Sequence, residues 1–140
     1  MSYLLDTCVI SELVRKEPCP RVLSWMRSCL EESLYLSAMT LGEVERGIAG
    51  LSDSQKKVRL NLWVNEDLLR RFSGRILPVT LEVAVTWGKL RALTESKGQP
   101  LPVIDALIAA TAQVHHLTLV TRDASLLTAE GIEVLNPWED

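Results

Sequence analysis

Four acidic side chains in four distant stretches carry the chemistry of this 140-residue chain. Asp6 closes the run YLLD, and Glu43 lies in SAMTLGEVERG. Asp105 lies in PLPVIDALIAA and Asp123 in LTLVTRDASLL. Asp6 and Asp105 are embedded in strongly apolar runs, where an unpaired charge is costly. Carboxylates gathered together are stable chiefly when a cation neutralises them. Hard oxygen donors of this kind suit Mg2+ or Mn2+ rather than zinc. An ion so held polarises a phosphate oxygen and activates water for in-line attack.

Each residue also has a plainer use. Asp6 can cap a helix that begins at Thr7. Thr40 and Glu43 have the spacing of a T-x-x-E capping box. Asp105, near a helix start, is favoured by the helix dipole, and Asp123 can cap a last short helix. The argument for a site rests on four such residues converging.

The elements that must position them alternate. Short apolar runs at Tyr3–Asp6, Leu34–Ser37, Arg75–Val79, Thr118–Thr121 and Ile132–Leu135 read as strands. Between them lie helical patterns. Val22, Trp25, Met26, Cys29 and Leu30 form an amphipathic stripe after Pro20, a residue suited to a first helical turn. Ser52 and Gln55 read as a capping box that opens a long helix with Val58, Leu62, Leu69 and Phe72 inward. Thr80 to Lys97 places Val83, Trp87, Leu90 and Leu93 on one side and ends at Gly98. Val103 to Val114 has almost no polar face, so it is expected to be central and buried. The alternation reads as α/β: a three-layer α/β/α, doubly wound arrangement around a mainly parallel five-stranded sheet. In such sheets ligands bind beyond the carboxyl ends of the strands, where all four acids fall.

Composition narrows the class. Apolar residues are 47% and charged residues 24%, as in an ordinary soluble domain, and residues 1–140 read as a single domain. No apolar run reaches membrane-spanning length, and the first residues lack the basic start of a signal peptide. Three cysteines without CxxC spacing point to a reducing, cytoplasmic setting. The net charge of −3 argues against nucleic-acid binding by bulk positive field.

LLDTCVISEL resembles the N-terminal motif of PIN-domain ribonucleases. LGEVERGI, DALIAATA and LVTRD follow in order at the intervals of that family. The resemblance covers nearly the whole chain and is nearest to VapC- and FitB-type toxins of bacterial toxin–antitoxin pairs. It implies a sheet in the order 3-2-1-4-5 and Mg2+- or Mn2+-dependent cleavage of RNA. Asp6, Glu43, Asp105 and Asp123 are then the acidic quartet that holds metal, with Thr7 and Thr121 as hydroxyl partners. It also implies a cognate antitoxin protein, a homodimer, and contact with DNA only through the antitoxin. Cys8 stands where the family has Asn. Arg46 is expected to steady Glu43 or to contact substrate phosphate, and Arg122 to meet the RNA backbone or remain a solvated loop charge.

Other acidic-pocket folds fit less well. A signalling receiver needs Asp at the end of strand three and Lys after strand five, but ProValThr and LeuAsnPro stand there. A haloacid-dehalogenase-type phosphatase needs a second Asp two residues after Asp6, where Cys8 lies. The remaining alternative is a binding protein on a nuclease scaffold that works mainly in an antitoxin complex on DNA.

Overall fold

The apolar runs pair as parallel strands. In a computed structural model describing residues 1–139 they are β1 (Tyr3–Leu5), β2 (Leu34–Ser37), β3 (Ile76–Leu77), β4 (Thr118–Val120) and β5 (Val134–Leu135). Their order is β3-β2-β1-β4-β5, with every neighbour parallel. This is the expected topology, with β3 and β5 reduced to two residues each. In the central strand Leu4 lies between Tyr35 and Leu119.

The two-residue period of the strands divides the core. Leu4 and Leu119 face one layer, made by α6 (Leu81–Ser96), α7 (Val103–Val114) and α8 (Ala124–Leu127). Leu5, Leu34, Leu36 and Val120 face the other. That layer holds α1 (Thr7–Leu13), α2 (Pro20–Ser28) and the buried Leu68 and Phe72. Helices α3 (Ala38–Ala49), α4 (Gln55–Leu62) and α5 (Leu69–Arg71) lie between β2 and β3 in the chain. Helix α7 is buried as its composition requires, at Ala106, Ile108, Ala109, Ala110 and Ala112. Gly98, at φ +72°, takes the left-handed turn that ends α6.

Three expectations fail in detail. The long helix from residue 55 is broken by a π-helical turn over Trp63–Leu68. That extra residue per turn rotates the inward stripe to Val64, Leu68 and Phe72. Val58 and Leu62 are left 60% and 58% exposed, and Leu69 is also exposed. The cap is Ser54, whose hydroxyl accepts from Lys57 N–H, and not Ser52. Leu30 and Leu93 face solvent, Leu30 because α2 ends two residues before it.

Glu12, an acid that no sequence pattern singles out, is 1% exposed in α1. Its carboxylate accepts from Cys19 N–H at 3.0 Å and from the Trp138 indole N–H at 3.2 Å, and pairs with Arg15 at 3.3 Å. Burial pushes its pKa up, but these donors outweigh burial and hold it below the ordinary 4.5. The carboxylate thus joins the first helix, the loop after it and the C-terminal segment. Replacing Glu12 by Ala strands two buried donors and is expected to lower stability by about 3 kcal/mol, measured by urea denaturation at unchanged slope. Because the folded pKa is depressed, this contribution is present above pH 4.5 and lost as pH falls through the folded value. Glu12→Gln is expected to lack that acid-side component.

Candidate functional site

Asp6 leaves the carboxyl end of β1 and begins α1. Its Oδ1 accepts from Thr7 N–H at 2.8 Å, so the cap expected from sequence exists. Its Oδ2 accepts from the Thr121 hydroxyl at 2.7 Å. That bond follows from register: Leu5 lies beside Val120, so the residues that follow emerge side by side. Asp6 N–H continues the ladder to the Val120 carbonyl at 2.9 Å.

Glu43 reaches the same edge from α3. The Thr7 hydroxyl donates to its Oε1 at 2.6 Å. The capping box expected at Thr40 does not form. Helix α3 begins two residues earlier, with the Ser37 hydroxyl accepting from Met39 N–H, so Thr40 is already inside the helix. Arg46 is exposed and, among the described residues, pairs with no acid; it does not steady Glu43.

Asp123 follows β4. Its N–H donates to the Thr121 hydroxyl at 3.0 Å, and its Oδ1 accepts from Ser125 N–H at 2.9 Å, capping α8. Thr121 therefore accepts from one acid's backbone while donating to another's side chain. Asp105 comes from the first turn of α7 and is half-buried.

The four acids form one electrostatic cluster. Burial pushes the Asp6 carboxyl above its ordinary value, against the Thr121 and Thr7 bonds, and the charges of Glu43 and Asp123 add to the rise. Asp105 is raised from 3.8 to about 6, first by burial and then by Asp6, Asp123 and Glu43. Among the described residues none of the four is in an ion pair.

An all-oxygen donor set with uncompensated charge fits a hard divalent cation. Among the described residues, no three acidic, histidine or cysteine side chains converge tightly enough to hold an ion unaided. Water would have to complete the coordination, as Mg2+ prefers. Cys8 lies at the rim, its sulfur 3.8 Å from Asp6 Oδ2 and 3.7 Å from the Thr121 hydroxyl. Burial and the Asp6 charge push its thiol pKa up, and a neutral thiol is a poor partner for such an ion.

Residues 3–131 match the PIN domain family. The toxin FitB of Neisseria gonorrhoeae is 41% identical over 98% of this chain and 99% of its own length. A VapC ribonuclease of Sinorhizobium fredii is 36% identical over 97% of each. A structure of FitAB bound to a DNA fragment superposes with a TM-score of 0.91 at 40% identity, covering 97% of this chain and 95% of that one.

The repulsion within the cluster has a sign that calorimetry can read. Asp105 binds its proton more tightly folded than unfolded, so metal-free protein is expected to gain stability as pH falls from about 7 to 5. Asp105→Asn should flatten that gain and hold or raise the melting temperature in chelator. For the unaltered protein, Mg2+ at a hundredfold excess over its Kd adds about 2.7 kcal/mol, a shift of roughly 5–10 °C. A cap alone predicts the reverse: loss of stability on Asp105→Asn with or without metal.

Proposed function

The chain belongs to the PIN domain family, and on that footing we propose that it is a metal-dependent endoribonuclease acting as the toxin of a type II toxin–antitoxin pair. The observation that carries the reading is the acidic edge: four carboxylates from four segments, mutually repelling and, among the described residues, in no ion pair.

In this reading Asp6, Glu43, Asp105 and Asp123 hold Mg2+ or Mn2+. When bound, the ion supplies Lewis-acid stabilisation of the phosphate and a water of lowered pKa. The chain's own residues prepare the place. Thr121 fixes Asp6 Oδ2 and Thr7 fixes Glu43 Oε1, so neither carboxylate can swing away from its neighbours. Each hydroxyl donation leaves the accepting oxygen a further lone pair. Leu5 and Ala106, which adjoin Asp6 and Asp105 in the chain, are fully buried, so each of these two acids stands next to the dry core.

Partners follow from the relatives. A cognate antitoxin protein binds the chain, and DNA is reached through the antitoxin, consistent with the net charge of −3. Exposed Leu81, Val85 and Leu93 on α6 give an apolar surface for a second copy, so a homodimer is the proposed state. Among the described residues no helix is long and apolar enough to cross a membrane. Residues 1–140 act as a single nuclease domain in the cytoplasm, where RNA is at hand.

Purified protein is expected to cleave RNA with Mg2+ or Mn2+ and to stop in chelator. Asp6→Asn and Asp105→Asn should each lower the rate roughly a hundredfold or more without unfolding. Unchanged rates in both variants, in preparations free of contaminating nuclease, would remove these residues from the site. Induced alone in a bacterial host, the chain should arrest growth, and either Asp6→Asn or co-expression of the neighbouring antitoxin gene should relieve it. Harmless expression of active, unpartnered chain would instead favour a binding protein that serves mainly in a complex on DNA.

A further inference from the structure

Arg122 lies between Thr121, which bonds Asp6, and Asp123. Its guanidinium stacks on the Trp138 ring, 4.7 Å from the ring centre. That ring is itself fixed. The indole N–H donates to buried Glu12 at 3.2 Å, and the Trp138 backbone N–H donates to Asn136 Oδ1 at 3.0 Å. A stacked guanidinium uses its face and keeps its edge, with the N–H donors, for a ligand.

Five other arginines are spent, whereas Arg27, Arg46 and Arg59 are, among the described residues, in no ion pair but have no aromatic ring to hold them. Arg15, Arg70, Arg71, Arg75 and Arg91 each pair with a glutamate. Arg122 is exposed and, among the described residues, in no ion pair. It is immobilised without being neutralised. A polyanion approaching four carboxylates is repelled, and a cation on the residue between Thr121 and Asp123 works against that repulsion.

We propose that Arg122 binds a phosphate of the RNA strand beside the acidic cluster, and that Trp138, anchored by Glu12, is the positioning residue that holds it there. This rests on the ribonuclease reading. The chemistry it recognises is a backbone phosphate, so the effect is on binding and not on the chemical step.

The test uses a fluorescein-labelled single-stranded RNA of mixed sequence, read two ways: binding in chelator across a salt series, and cleavage with Mg2+. Arg122→Ala is expected to weaken binding and raise KM roughly tenfold, with kcat within about twofold. The slope of log affinity against log salt should become shallower by about 0.7, the share of one phosphate on a single strand. Arg122→Lys should restore the slope but only part of the affinity. Trp138→Phe, which keeps a ring and loses the anchoring N–H, should raise KM roughly threefold at unchanged slope. A lowered melting temperature in Arg122→Ala with unaltered salt slope would make the arginine merely structural and overturn the inference. So would a fall in kcat at constant KM. If the unaltered protein binds RNA but never cleaves it, the ribonuclease reading falls and the salt slope still judges Arg122. If it neither binds nor cleaves, both fall.

Discussion

Four carboxylates crowd one edge of a parallel sheet, and their mutual repulsion is the load that the surrounding structure has to bear. Among the described residues none of them is in an ion pair, so they are restrained by geometry instead. The central strand ends at Asp6, and its neighbour β4 delivers Thr121 to the same level. The start of α1 presents an N–H to Asp6 and a hydroxyl to Glu43. Behind them the apolar core on both faces of the sheet leaves a charged carboxylate no room to move inward. Short strands suffice for this, because only the last residue of each has to be placed well.

Glu12 shows what a buried acid looks like when its task is structural. It has two N–H donors, an arginine partner and a depressed pKa. Asp6 is buried and Asp105 half-buried, yet their pKa values are driven the other way, by burial and by like charge. The two outcomes sit a turn and a half apart on one helix start. Opposite environments for the same functional group, at that separation, are a sign of a site and not of a shortage of partners.

The alternation of strands and helices and the positions of the four acids were legible from local signals, while the sheet order followed only from the resemblance to PIN-domain ribonucleases. An apolar run ending in Asp is rare enough to notice, and the spacing of four motifs along one chain compounds the rarity. The helix between residues 55 and 72 was not legible. Its polar face carries Val58, Leu62 and Leu69, so a period of 3.6 finds a plausible but wrong stripe, and a π-helical turn has no sequence mark of its own. The capping box at Thr40 failed for a related reason. Ser37, with which β2 ends, already serves as the cap, and the helix starts before the motif. Glu12 passed unnoticed because one glutamate in CVISEL looks like the solvent face of an amphipathic helix. Only the tryptophan 126 residues away explains it.

That separation has a bearing on how the chain is made. Asp6 waits for a hydroxyl 115 residues downstream, and Glu12 for an indole 126 residues downstream. During synthesis at about 5–20 residues per second, the first strand and helix emerge many seconds before their partners. The acidic edge therefore cannot assemble on a nascent chain that lacks β4, whatever its N-terminal half does meanwhile. A ribosome making this protein stays next to a harmless fragment until translation is nearly finished, and a truncated product never acquires the site.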